Sequence, residues 1–544
     1  MNSSQNHIKK FGTKRRPQRS SVAIVFCLLC FVALTCGIRQ ISTAQENLAA
    51  RESRGRQIYV RGVSPSGKEI AAYVGDQSIE VPASSLPCAN CHGLDGRGKP
   101  EGGITPPNIT REFLTKPYPS AQGGRKHPPY TDRALELAIT RGLDPAGNKL
   151  LPVMPRYVMS REDLADLTVY IARLGKDRDP GITENTLVIG TVLPATGVLA
   201  ETGLAVKAVL IAYFAEINSA GGIYDRRVEL KFAETADTPA ATRKSVETFL
   251  TSEQVFAMTG VLIAGSEKEV LPLFAEKEVP LIGPLTLYPQ TSLPLNRQVF
   301  YLLSGVEGQQ RSLIEFAAAK PEIKSAGIGI VYAESDNNST VVQAMRQQAT
   351  KSGLAEPQAI SYEPGRFDAV EATRQLKQAK RAAVFLLGNS EDGLSFMREA
   401  EKLGWSPFVF FASASTEIFG APAGFDGRIF TAFPISPADQ TVEGTKEFRS
   451  LAAKYQLPAK HFAAEVSAYS AAKVLVEALK RSGKDLSREK LIQSLEELYE
   501  YRTGLTPAIT YGPNRRIGAM GSYVVTVDLK QKHFLPASEW IGID

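Results

Sequence analysis

Cys88-Ala89-Asn90-Cys91-His92 is the stretch on which the reading of the N-terminal part of the chain turns. Two cysteines separated by two residues, with a histidine next, place two thiols and an imidazole within about one helical turn. Covalent haem needs that set: a thiol for each vinyl group, and an imidazole under the ring as an iron ligand. A redox dithiol would instead follow a strand and open a long helix. Here Pro82-Ala-Ser-Ser-Leu-Pro87 precedes the motif and Gly93-Leu-Asp-Gly-Arg-Gly98 follows it, and both read as loop. Structural zinc wants four ligands, and the other three of the five cysteines (Cys27, Cys30, Cys36) lie in an apolar leader. The motif is therefore read as c-type haem attachment.

Working outward, Gly55-Arg-Gln-Ile-Tyr59 sits in an expected helix upstream. Downstream, Ala134-Leu-Glu-Leu-Ala-Ile-Thr-Arg-Gly142 is a second amphipathic segment, followed by Leu150-Leu-Pro-Val-Met-Pro-Arg-Tyr157. Ser160-Arg-Glu-Asp163 then caps a helix whose apolar positions are Leu164, Leu167, Tyr170, Ile171 and Leu174. Over about residues 50–175 this order resembles class I cytochrome c domains. The resemblance implies an all-α cytochrome c domain over 45–175 with one covalent haem c on Cys88 and Cys91. It also implies His92 and Met154 as the axial iron ligands, because the family takes its sixth ligand from the Met-Pro loop. A thioether in that position favours electron transfer over oxygen chemistry. Met159 lacks the following proline and is expected in the core, and His127 in a solvated loop. The segment from Arg61 to Pro87 is longer than in compact members and is expected as a surface excursion that alters access to the haem edge.

Gly175-Lys-Asp-Arg-Asp-Pro-Gly-Ile-Thr-Glu184 is polar and carries proline and glycine, so residues 176–185 read as a linker. Beyond it, strand and helix patterns alternate. Strands are expected at 187–192, 228–232, 255–258, 279–282, 326–332, 382–387 and 408–411, with a long helix over 203–218. Repeated βα units imply parallel sheets covered by helices, and about 360 residues favour two lobes over one. The stretch Ile189-Gly-Thr-Val-Leu-Pro-Ala-Thr-Gly197 resembles type I periplasmic binding proteins, the leucine/isoleucine/valine- and amide-type receptors of ATP-driven importers. So do Ile217-Asn-Ser-Ala-Gly-Gly222, Arg227-Val-Glu-Leu230, Val279-Pro-Leu-Ile-Gly-Pro284 and Tyr511-Gly-Pro-Asn-Arg515. The fold class expected for the whole chain is thus multidomain: the all-α cytochrome domain, then a two-lobed α/β receptor over 186–544.

The family binds its ligand between the lobes at strand C-terminal ends. By motif order this implies Ser266 and Thr286 in the first lobe, and Tyr332 and Asn389 in the second. Amino-acid receptors usually carry a serine/threonine cluster in the first of these loops; here Leu262-Ile-Ala264 precedes Ser266, which puts a carboxylate clamp of that type in doubt. Glu391, at a helix start, is read as a dipole-stabilising surface residue.

The leader supplies the remaining constraint. Residues 1–44 hold seven cationic side chains and no acid, so removing them from the net +6 leaves −1 for the rest of the 544-residue chain. Nothing in that balance calls for nucleic acid. A basic stretch, the apolar run Val22–Gly37 and Ser42-Thr43-Ala44 form a signal peptide or an N-terminal membrane anchor. The expectation is a periplasmic protein, soluble or tethered, that carries electrons through a His/Met haem. Its receptor-like domain binds a small organic solute (amino acid, amide or short carboxylate) or docks a periplasmic redox partner. The alternative is the substrate-binding component of an amino-acid or amide importer, with an ABC permease as partner and an accessory haem domain. Direct haem catalysis is not expected, since six-coordinate His/Met iron has no open position.

Overall fold

A computed structural model describes residues 48, 50–75, 78–98, 103–116, 126–175, 178–291 and 293–543. The expected leader, 1–44, lies outside them. The chain divides into two units, one ending at residue 177 and the other beginning at Arg178. No helix among the described residues is long and apolar enough to cross a membrane.

The N-terminal unit starts with helix α1 (50–61). Strands β1 (Ala71–Val74) and β2 (Ile79–Pro82) follow, then the short helical turn α2 (Cys88–His92) and helices α3 (Arg111–Leu114) and α4 (Asp132–Arg141). Strand β3 (Arg156–Val158) and helix α5 (Arg161–Ile171) complete it. The capping sequence read before α5 works as such: the Ser160 hydroxyl accepts from Asp163 N (3.0 Å) and donates to the Asp163 carboxylate (2.6 Å). Helices α1 and α5 meet at Gly55, where a Cβ would lie 2.1 Å from the Asp166 carbonyl oxygen, so only glycine permits the approach. The buried Asp166 carboxylate takes Arg51 Nε at 2.9 Å and Arg54 Nε at 2.6 Å, clasping the two helices. Tyr59, fully buried, packs its ring 5.4 Å from Tyr170 in a core shared with Ile58, Leu135, Leu167 and Ile171.

The helical frame carries one addition. Strands β2, β1 and β3 form an antiparallel sheet, with Ala72 opposite Val81 on one side and Tyr157 on the other. The 61–87 segment is therefore not a surface excursion. Its Ile70 and Ala72 are buried in the core, and its strand pairs with the residues that follow Met154-Pro155.

The second unit contains two sheets. Its first lobe begins with β4 (Thr186–Leu193), α6 (Ala200–Ser219), β5 (Arg227–Glu234), α7 (Pro239–Ser252) and β6 (Ala257–Thr259). It continues with α8 (Glu267–Glu276), β7 (Leu281–Ile282) and β8 (Val299–Leu303). The chain then crosses to the second lobe: α9 (Gly305–Ala318), α10 (Pro321–Ala326), β9 (Ile328–Ala333), α11 (Asp336–Lys351), β10 (Gln358–Tyr362) and α12 (Ala369–Gln378). There follow β11 (Ala383–Leu387), α13 (Ser390–Lys402), β12 (Phe408–Phe411) and β13 (Ile429–Phe433). Helices α14 (Val442–Tyr455), α15 (Phe462–Arg481) and α16 (Arg488–Glu496) return to the first lobe, where residues of all three share a core with α6. Strand β14 (Ile517–Ala519) joins the first sheet; β15 (Gly521–Asp528), β16 (His533–Pro536) and β17 (Ile541–Gly542) join the second.

The first sheet, in order β14-β8-β7-β6-β4-β5, is parallel throughout. Its inner strands β8, β7, β6 and β4 are nearly continuous in apolar residues, as burial on both faces requires, whereas the edge strand β5 (RVELKFAE) alternates. The second sheet departs from the all-parallel expectation. Strands β10, β9, β11, β12 and β13 are parallel, but β15 runs antiparallel to β13, and β16 and β17 pair antiparallel with β15. For β16 the reason is connection length: four residues separate β15 from β16, too few for a parallel crossover. The two lobes are joined by three crossings, at Ser304, at 434–441 and at Met520. The later part of the expected linker also folds onto this unit, with Ile182 buried and the Asp179 carboxylate accepting from the Arg488 amide.

Candidate functional site: a Cys-Cys-His turn and an interlobe cleft

The N-terminal site is built on α2. Pro87 enters it in an extended conformation, and Gly93 ends it at φ +75°. Neither thiol is in a disulfide; Cys88 is half-buried and Cys91 exposed. Loss of solvent pushes the Cys88 thiol up to about 12, with a smaller contribution from Cys91 and an opposing backbone hydrogen bond. His92 is buried, with Nδ1 3.0 Å from the Pro107 carbonyl oxygen. A carbonyl only accepts, so Nδ1 carries the proton and Nε2 presents a lone pair. Burial lowers the imidazole pKa, against a smaller pull upward from Pro107, and keeps the ring neutral. Pro107 reaches this position because Gly98, at φ +89°, comes so close to the 106–107 segment that a Cβ would meet Pro106 O at 2.0 Å. From the other side the Tyr59 hydroxyl donates to Gly93 O at 2.7 Å and fixes the end of the turn.

This donor set fits covalent haem: two thiols on one turn and an imidazole whose tautomer is fixed through its outer nitrogen. Met154 lies half-buried in the loop before β3, flanked by exposed Leu151 and Val153. Met159 instead packs into the core cluster beside Cys88. His127 is half-buried, its Nδ1 2.9 Å from Pro128 O and its ring against Tyr130. Pro107, Tyr59 and Gly98 were not singled out from sequence as parts of this site. For Pro107 no local signal exists, because the group used is a backbone carbonyl.

The second site lies at the strand ends of the receptor unit. Ser266 is buried just before α8 and makes no side-chain cap. The Thr286 hydroxyl donates to Glu267 Oε1 (2.9 Å) and accepts from Tyr288 N (3.1 Å), so Ser266 and Thr286 share one rim through Glu267. In the second lobe, Tyr332 on β9 stands opposite Leu387 on β11, which places Gly388-Asn389 beside it. Tyr332 packs against the lobe's core, and Asn389 caps α13 by accepting from Asp392 N at 2.8 Å. Glu391 pairs with Arg398 at 2.7 Å on the surface. The structure thus pairs the four residues two by two within each lobe. Between the lobes, Lys268 of α8 reaches Asp336 of α11 at 3.4 Å. Glu267 is the rim residue that the sequence reading passed over; its acid directly follows a candidate serine, a spacing that carries no recognisable signal.

Known proteins match both units. The family model described as periplasmic binding protein matches residues 186–533, and the one described as cytochrome c matches residues 85–175. The cytochrome c match implies covalently bound haem c. The receptor part is similar to Leu/Ile/Val-binding protein homolog 3 of Brucella melitensis, at 24% identity over 55% of this chain and 79% of that protein. A Leu/Ile/Val-binding protein of Rhizobium johnstonii is 25% identical over 60% of this chain and 87% of its own length. Among solved structures, a branched chain amino acid ABC transporter from Thermus thermophilus with bound valine has a TM-score of 0.54 at 18% identity. That likeness covers 66% of this chain and 98% of the other, and at such identity it shows the fold.

Proposed function

The chain belongs to the periplasmic binding protein family, with a cytochrome c domain ahead of the receptor, and on that premise we propose that it is a periplasmic one-electron carrier whose receptor unit binds a small organic solute. In this reading one haem would be joined to Cys88 and Cys91, and His92 and Met154 would hold its iron. When bound, that group supplies a one-electron couple. The protein's own contribution would be to hold the His92 imidazole neutral and oriented through Pro107, and to offer the Met154 thioether from the 150–156 loop. The observation that carries the reading is the buried His92, fixed through Nδ1 on the same turn as Cys88 and Cys91, neither of them in a disulfide. Both families are carriers or receptors rather than catalysts.

Residues 1–44 serve as signal peptide or anchor in this proposal, and Ser266, Thr286, Tyr332 and Asn389 face the solute. The Thr286 hydroxyl already engaged with Glu267, and the apolar residues before Ser266, favour a ligand other than one gripped by a serine/threonine clamp. The test begins with the protein made in a host that attaches c-type haem. A haem spectrum that survives denaturation, with the mass of one haem per chain, is the expected result; a haem that washes out under denaturant overturns the carrier. The holoprotein is then melted against amino acids, amides and short carboxylates, because a ligand bound only by the folded state raises the midpoint.

A second reading, the substrate-binding component of an importer, is favoured by the leucine/isoleucine/valine-binding relatives. It predicts a branched-chain amino acid among the hits and a haem reduction potential that does not move when that ligand binds. A potential that shifts with ligand supports the electron-carrying reading and a link between the two units.

A further inference from the structure

We propose that Arg156 is a positioning residue that holds the Met154 loop in its ligating conformation, an inference that rests on Met154 being the sixth ligand. Its guanidinium donates to three carbonyls of one loop: Met154 O, Leu150 O at 3.1 Å and Leu151 O at 3.4 Å. The loop's own turn is closed by Met154 N on Leu151 O at 3.1 Å, so the fork grips both ends of the turn that carries the thioether. Among the described residues no carboxylate is ion-paired with Arg156; its donors serve backbone. A planar guanidinium with five N–H groups can satisfy several carbonyls at once in a fixed geometry, which an ammonium cannot copy.

The surroundings are shaped for this side chain. At residue 142 a Cβ would lie 1.8 Å from Arg156 Nε, and Gly142 at φ +64° leaves that space open as it ends α4. Gly142 O accepts from Leu150 N at 2.8 Å, tying the start of the loop to the same corner. On the far side, Arg156 stands opposite Tyr73 of β1, and Gly75 N donates to Pro152 O at 3.1 Å. The 61–87 segment and the guanidinium therefore hold the 150–156 loop from two directions.

The experiment uses the haem-loaded full chain with Arg156→Gln, Arg156→Lys, Gly142→Ala and Met154→Ala. Three properties are read: the ferric thioether-to-iron charge-transfer band, the reduction potential, and the rate at which carbon monoxide binds the ferrous protein. Arg156→Gln and Gly142→Ala are expected to weaken the band and lower the potential. Because hydrogen bonds from a charged donor are lost, carbon monoxide uptake is expected to quicken by about tenfold or more. Arg156→Lys, which keeps the charge and loses the fork, is expected to fall with them rather than with the native protein. Wild-type values for Arg156→Gln and Arg156→Lys, alongside a Met154→Ala that has lost the band, overturn the positioning role and leave the ligation standing. A Met154→Ala protein that keeps the band overturns the ligation itself. If Arg156→Gln does not accumulate as holoprotein, Arg156→Lys decides the question on the same three measurements.

Discussion

The two sites are encoded in opposite ways. In the N-terminal unit, both thiols and the imidazole come from five consecutive residues, and the rest of the unit packs around that turn. In the receptor, the four candidate residues lie at 266, 286, 332 and 389, and topology alone brings them together, two in each lobe. A contiguous motif declares its chemistry because spacing fixes which atoms face together. A dispersed site declares only its place, since strand ends converge whatever side chains they carry. Thr286 and Asn389 illustrate the cost: each has hydroxyl or amide chemistry suited to a ligand, and each already serves a neighbour.

The contrast is open to direct attack. The largest effect should follow Cys88→Ser with Cys91→Ser. Covalent haem is lost entirely, and calorimetry shows the first unit's transition gone while the receptor's remains. Loss of both transitions would show that the two sites do not belong to separately stable units. Next, Gly55→Leu forces a side chain into the Asp166 backbone and should destabilise the N-terminal unit by about 3 kcal/mol, measured by denaturant titration of the haem absorbance. A smaller effect is expected at the dispersed site. If Thr286 meets the solute, Thr286→Val should weaken binding by about tenfold, or ~1.4 kcal/mol, in a titration with whichever ligand raises the melting midpoint. Unchanged affinity would assign that hydroxyl to Glu267 alone. Least of all, Lys268→Met should change receptor stability by no more than ~0.5 kcal/mol, with any difference vanishing in high salt, because both partners of the interlobe pair are exposed.

Legibility followed the same divide. The Cys88–His92 turn, the Ser160 cap and seven of the nine strands from β4 to β12 are readable from sequence, because each rests on a local period or a cap; β8 (Val299–Leu303) and β10 (Gln358–Tyr362) are not among the expected strands. The strand expected at 408–411 is Phe408–Phe411, and the helix expected over 203–218 is Ala200–Ser219. What local pattern could not carry was pairing at a distance. Ala71–Val74 is four residues long and gains its identity only from partners at 79–82 and 156–158. The antiparallel return of β15 and β16 likewise depends on a short turn near the end of the chain. The carbonyl of Pro107, which orients His92, has no side-chain signature at all.

The clasp between α1 and α5 also sets an order in time. Arg51 and Asp166 are 115 positions apart, and the two cysteines lie between them. A chain that emerges from its N-terminus presents α1 long before its partner exists, and closing so long a loop is intrinsically slow. For that interval Cys88 and Cys91 stand on an open strand of polypeptide, reachable by whatever attaches a group to them. Once Asp166 arrives and the helices lock, Cys88 is half covered and that opportunity narrows. The distance between the two halves of the clasp is thus a delay written into the chain, an interval in which both thiols are present and the helix that helps cover them is not.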